Sequence, residues 1–151
     1  MHYYFIINPV SGGGRGKKIW ASLEETLKSR NISYKGFLLR ERGQARTLAQ
    51  RISCVSQPCT AVIVGGDGTI DEFLDGLARW EHLTLGCIPT GSGNDFVRGL
   101  SLERDPAKAL DIILSPSHIC HLKVGIVQAE NHSHKFIISS GIGFDADVCN
   151  G

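Results

Sequence analysis

Several things are missing from these 151 residues, and each absence removes a class of function. No apolar run approaches the roughly 18 residues of a membrane span, so any membrane contact is expected to be peripheral. No excess of one charge exists: Lys+Arg 16 against Asp+Glu 15 argues against an electrostatic nucleic-acid binder. The five cysteines, Cys54, Cys59, Cys87, Cys120 and Cys149, include no C-x-x-C pair and lie mostly in apolar segments, which reads as reduced core thiols and a cytoplasmic setting. The first eight residues lack the long apolar stretch behind a basic end that a secretory signal needs. Internal repeats, low-complexity tracts and clear linkers are also lacking. Positions 1–151 are therefore expected to form one domain with a real core.

What is present is an alternation. Tyr3, Tyr4, Phe5, Ile6 and Ile7 form a β-branched and aromatic run stopped by Asn8-Pro9. Ile19, Leu23 and Leu27 then recur at helical spacing. Residues 34–39 read as a second strand, and Ala45, Leu48, Ala49 and Ile52 as a second helix. Residues 61–64 read as a third strand before a helix carrying Ile70, Phe73, Leu74 and Leu77, and residues 85–88 as a fourth, stopped by Pro89. Such order predicts an α/β, Rossmann-like layered parallel sheet with helices on both faces and ligands at the carboxyl ends of its strands. A helix is expected over 106–114. A closing hairpin is expected from 119–128 and 135–139, joined across Glu130, Asn131, His132 and Ser133.

Three strands run into glycine-bearing loops that should converge on one crevice. The richest is Gly65-Gly66-Asp67-Gly68-Thr69-Ile70-Asp71-Glu72. Glycines let a ligand approach the backbone, and free amides at a helix start favour phosphate. A carboxylate there would repel phosphate unless it holds a metal ion, directly or through water, or accepts a proton, so Asp67 points to chemistry. The first loop, Ser11 to Gly16, misses the P-loop pattern because Ser11 stands at the first glycine and Lys18 at the hydroxyl. Its Arg15, Lys17 and Lys18 remain candidates to neutralise phosphate. The dinucleotide pattern G-x-G-x-x-G fails in every loop. In the third loop Ser92 and Asn94 offer hydrogen bonds, and Asp95 is either a helix cap or a second carboxylate facing the same magnesium as Asp67. A zinc cluster around His118, Cys120 and His121 lacks structural spacing, and Trp20 and Trp80 read as packing or surface residues.

With the loops placed, the chain resembles the diacylglycerol kinase catalytic-domain family, including bacterial diacylglycerol kinases and related sphingosine and ceramide kinases. Asn8-Pro9-Val10-Ser11-Gly12, Gly65-Gly66-Asp67-Gly68-Thr69 with Glu72, residues 89–96 and Gly141-Ile142-Gly143-Phe144-Asp145-Ala146 carry the match, in order. The resemblance implies an N-terminal nucleotide-binding domain like that of NAD kinases and diacylglycerol kinases, which transfers phosphate from ATP to a lipid hydroxyl with magnesium. Asn8, Pro9, Val10, Ser11, Gly12, Gly66, Asp67, Gly68, Thr69, Ile70, Asp71, Glu72 and Ser92 would contact ATP, and Asp67 and Asp95 would join the network that organises Mg2+. The lipid partner would be met at a membrane surface, and a homo-oligomer stays open. Ser92 stands where threonine is common, Asp71 and Asp75 where asparagine is frequent, and Leu39 where a nucleotide-contacting threonine is often found. His121 falls near the place of a network aspartate, and Ile138 replaces a frequent asparagine. Family members usually continue into a β-rich second domain that supplies the proposed general base, so the sequence reads as a fragment that would bind ATP without turning over. Two alternatives are an NAD kinase-like enzyme and a non-catalytic nucleotide-binding module.

Overall fold

A computed structural model describes residues 1–136. Its sheet has four parallel strands, β1 (His2–Ile7), β2 (Tyr34–Leu38), β3 (Cys59–Gly65) and β4 (Leu83–Pro89), in the order β2-β1-β3-β4. Helices α1 (Ser11–Ser29), α2 (Gln44–Ser53) and α3 (Asp67–Gly76) connect them. Then come α4 (Asp95–Gly99), α5 (Pro106–Leu114) and an antiparallel hairpin of β5 (Gly125–Ala129) and β6 (His132–Phe136).

Alternation along the inner strands explains the two layers of helices. On β1, Phe5 and Ile7 point to one face with Val62 and Val64 of β3, where Trp20, Leu23 and Leu27 of α1 and Leu110 of α5 cover them. Ile6, Ala61 and Ile63 point the other way, under Ala45 and Ala49 of α2 and Phe73 and Leu74 of α3. Every residue of β3 is buried, as a central parallel strand requires. The chain steps from β1 outward to β2 and then back across β1 to β3, and right-handed crossovers in opposite directions put α1 and α2 on opposite faces. That reversal opens a crevice beyond the ends of β1 and β3, the switch point where such sheets bind ligands.

Trp20 is a core residue. Its ring lies 5.3 Å from Phe5 and 5.9 Å from Tyr34, with Phe5 and Tyr34 also 5.9 Å apart and edge-on. A cluster of this kind is worth about 3–5 kcal/mol on truncation of its largest member. Helix α5 starts as its sequence suggests, with Pro106 in the first turn and the Asp105 side chain accepting from Lys108 N at 3.0 Å.

Three expectations are corrected. The hairpin turn contains only Glu130 and Asn131, with Glu130 at φ +48°, so His132 and Ser133 belong to β6 and pair with Ala129 and Gln128. The first hairpin strand, β5, begins at Gly125, so residues 119–124 precede it. Of the cysteines, Cys59 and Cys87 are buried, whereas Cys54 and Cys120 are exposed free thiols and not core. Cys149, Ile138 and the motif 141–146 lie outside the described residues.

Candidate functional site

The first turns of α3 tie the surrounding loops together. Thr69 Oγ1 accepts from Asn8 Nδ2 at 3.1 Å, which fixes the loop after β1. Asp67 reaches the loop after β4: its two carboxylate oxygens accept from Asp95 N at 2.8 Å and Phe96 N at 3.0 Å. Glu72 reaches the start of α2, where its Oε1 accepts from Ala45 N at 3.1 Å. Three of these bonds, two to Asp67 and one to Glu72, cap helices from outside their own sequence, since the first amides of α4 and α2 have no intrahelical acceptor. Local chemistry explains why a remote cap is needed. The residues ahead of these helices, Asn94 at φ +54° and Gly43 at φ +89°, offer no side-chain cap of their own.

The loops then close on one another. A Cβ on Gly12, which sits at φ +60°, would lie 1.9 Å from Thr90 O, so only glycine fits where the first loop crosses the end of β4. Ser11 and Thr90 share a hydroxyl–hydroxyl hydrogen bond at the same crossing. Between these walls runs a groove of about 540 Å³, within the range of small-molecule sites. Asn8, Ser11, Gly66, Gly68, Thr69, Asp71 and Glu72 line it, all nominated by the sequence, together with Arg42, Gly43 and Arg46, which were not. The missed wall comes from the turn between β2 and α2. Its signal in the sequence was a glycine just before a helix, flanked by arginines.

Other nominated residues fall differently. Ile70 is 2% exposed and its side chain belongs to the core, so only its backbone can face a ligand. Pro9 and Val10 sit on the turn into α1, with Val10 exposed and its amide donating to Asn8 Oδ1 at 3.3 Å. Ser92 is exposed and does not line the groove. Asp95 meets Asp67 through its backbone amide. Its side chain is exposed and lies 3.7 Å from Arg98. The helix cap there is therefore Asp67, not Asp95. Arg15 braces two loops, donating to Gly12 O at 3.1 Å and Gly91 O at 3.4 Å, and neither it nor Lys17 nor Lys18 lines the groove. Leu39 packs beside the α2 and α3 core, and His121 is exposed and outside both hairpin strands.

The chain matches the model of the diacylglycerol kinase catalytic domain over residues 2–125. It belongs to that family. A protein of Bacillus subtilis named "Putative lipid kinase YtlR" is 34% identical over 97% of this chain, which spans 49% of that relative. The diacylglycerol kinase of Staphylococcus saprophyticus is 31% identical over 80% of the chain, spanning 39% of the relative. Sphingoid long-chain bases kinase 1 of Arabidopsis thaliana is 32% identical over 69% of the chain, spanning 14% of the relative. A crystal structure of a diacylglycerol kinase from Bacillus anthracis superposes with a TM-score of 0.61 at 29% identity, covering 74% of this chain and 39% of that one. The chain thus spans about half the length, or less, of the relatives it matches. Its parallel α/β layers are those of diacylglycerol kinase-like proteins.

For a diacylglycerol kinase-like domain the groove's donor set fits ATP. Ser11, Gly66, Gly68 and Thr69 line it beside Asn8, and Gly66 to Thr69 form the start of α3, where the first amides have no intrahelical acceptor. Behind it, Asn94 Oδ1 is a buried acceptor without a partner among the described residues, next to Gly91. Magnesium fits less as a caged ion than as a phosphate-borne one. Among the described residues no three His, Cys, Asp or Glu side chains gather as a metal site, while Mg2+ keeps several waters and needs only one or two carboxylates alongside phosphates. Asp67 does not line the groove and would serve through water, since each oxygen retains a lone pair beyond its amide bond.

Two pKa shifts mark the surroundings. Burial, with the Asp67 charge adding to it, pushes the Cys87 thiol far up, so it stays an inert thiol under the crevice. At Asp75 burial opposes ionisation. The amide of Lys135 and the charges of Arg46, His134 and Lys135 outweigh it and hold the carboxyl below its usual range. Asp75 is thereby the seat of the hairpin: Arg46 lies 2.7 Å away, His134 Nδ1 3.2 Å, and Lys135 N donates to it at 3.1 Å, while His134 Nε2 reaches Asp71 at 3.1 Å.

Proposed function

We propose that this chain is the ATP-binding domain of a cytoplasmic lipid kinase that transfers the γ-phosphate of ATP to a lipid hydroxyl such as that of diacylglycerol. The observation that supports it best is the convergence of Asn8, Ser11, Gly66, Gly68 and Thr69 on one groove at the switch point of the sheet. Phosphoryl transfer asks a protein mainly to position the triphosphate and neutralise its charge, which backbone amides and rigid loops do. Asn8 and Thr69 hold the β1 loop against the start of α3, and Asp67 holds the β4 loop in place behind it. Magnesium, when bound, would spread the charge of the phosphate oxygens. Among the described residues the groove's two carboxylates are engaged, Asp71 by His134 and Glu72 by the Ala45 amide, which supports the expectation that the base for the lipid hydroxyl comes from a second domain. No described helix is long and apolar enough to cross a membrane, and the lipid would be met by peripheral contact.

Calorimetric titration of the folded chain with ATP and magnesium should show one site. Labelled ATP offered to the protein with dioctanoylglycerol in mixed micelles should give a phosphorylated lipid. No ATP binding by folded chain would refute the reading, and phosphorylation of NAD but of no lipid would reassign the substrate.

A further inference from the structure

We propose that Arg42 is the residue of this groove that binds the nucleotide's polyphosphate. Four charged side chains line the groove, Arg42, Arg46, Asp71 and Glu72. Three are committed within the protein: Arg46 to Asp75 at 2.7 Å, Asp71 to His134 at 3.1 Å, and Glu72 to the Ala45 amide at 3.1 Å. Arg42 has no ion pair or side-chain hydrogen bond among the described residues, and it is exposed at the groove. It is not on a loose loop. Gln44 Oε1 accepts from Arg40 N at 2.5 Å and Glu41 N at 3.4 Å, and Gly43 at φ +89° turns the chain into α2, so residues 40–44 form a tight turn that delivers Arg42 to the wall.

The electrostatic argument gives the ligand class. Asp71 and Glu72 place two negative charges in the groove, and Arg46 is neutralised by a carboxylate outside it. A polyphosphate entering beside these carboxylates needs a positive group to face it, and Arg42 is the guanidinium of the groove that has no partner among the described residues. A planar five-donor guanidinium matches phosphate oxygens in pairs, whereas an ammonium supplies only a point charge. Arg15, the arginine of the glycine loop, is already bonded to two carbonyls. Arg42 thus takes over the anion contact that the first loop's cations do not make in this groove.

This inference rests on the ATP-binding reading, and its test separates the two. Affinities of the folded chain and of Arg42→Ala and Arg42→Lys are measured for MgATP, adenosine and magnesium tripolyphosphate. The expected result is a loss of about tenfold or more for MgATP and tripolyphosphate in Arg42→Ala, partial recovery in Arg42→Lys, and no change for adenosine. Added salt should shrink the Arg42-dependent part. Wild-type affinity of Arg42→Ala for both phosphate ligands would overturn the proposal, as would an equal loss for adenosine, which would make Arg42 a base-stacking residue. If wild-type chain binds tripolyphosphate through Arg42 but not ATP, the nucleotide reading fails and Arg42's role stands. If it binds neither, both fail.

Discussion

Replacing Asp67 by alanine separates scaffold from chemistry. The substitution removes the acceptor for two amides, Asp95 N at 2.8 Å and Phe96 N at 3.0 Å, at the start of a helix of only five residues. Losing a helix cap costs about 1 kcal/mol, and leaving a second half-buried amide unpaired adds about 1 kcal/mol. The sum of about 2 kcal/mol, at a urea m-value near 2 kcal/mol/M, lowers the unfolding midpoint by about 1 M. Asp67→Asn keeps one acceptor oxygen and should lose about half as much. The measurement is a urea melt followed by tryptophan fluorescence, with Trp20 as the buried reporter, in EDTA and without nucleotide so that no metal contributes. A wild-type midpoint for Asp67→Ala would show that these amide bonds do not hold the β4 loop, and the tethering argument would fall.

Gly12→Ala should abolish ATP binding measured by calorimetry, because its Cβ would lie 1.9 Å from Thr90 O in a backbone at φ +60°, and it should lower stability by at least about 1 kcal/mol. Glu72→Ala removes the acceptor of Ala45 N and should cost about 1 kcal/mol, with faster amide exchange in the first turn of α2 as the local readout. Asp75 predicts an acid sensitivity. Its carboxyl titrates below its usual range in the folded state, so its stabilisation is complete above the ordinary aspartate value of about 4 and disappears as pH falls through the lower folded value. The gap in unfolding free energy between wild type and Asp75→Asn should be flat near pH 5 and shrink below pH 4, and a gap that widened there would contradict the sign.

Much of the fold was legible because its signals are local. Apolar strands, helical spacing, the proline after Asp105 and glycines at strand ends each act within a few residues. The first and second loops were readable for the same reason. The rest of the site depends on partners far apart in sequence. Arg42 and Arg46 become a groove wall only because β2 lies beside β1, and nothing near them says so. Asp95 looked like a metal ligand or a cap, yet the cap comes from Asp67, 28 residues earlier. Ser92 was placed by its hydroxyl and its glycine neighbours, but the loop that carries it buttresses the first loop through Thr90 and does not line the groove. The four-residue turn expected in the hairpin shortened to two because paired strands favour a turn that matches their twist.

The three tethers at the start of α3 make the crevice a single cooperative unit. Loops that hang on separate anchors fluctuate separately, whereas these share Asp67, Thr69 and Glu72 on two turns of one helix. Opening of the helix start would release the β1 loop, the α2 entrance and the β4 loop together, so their amides should exchange with a common free energy and a common response to denaturant. A ligand seated against any one of them would slow exchange in all three.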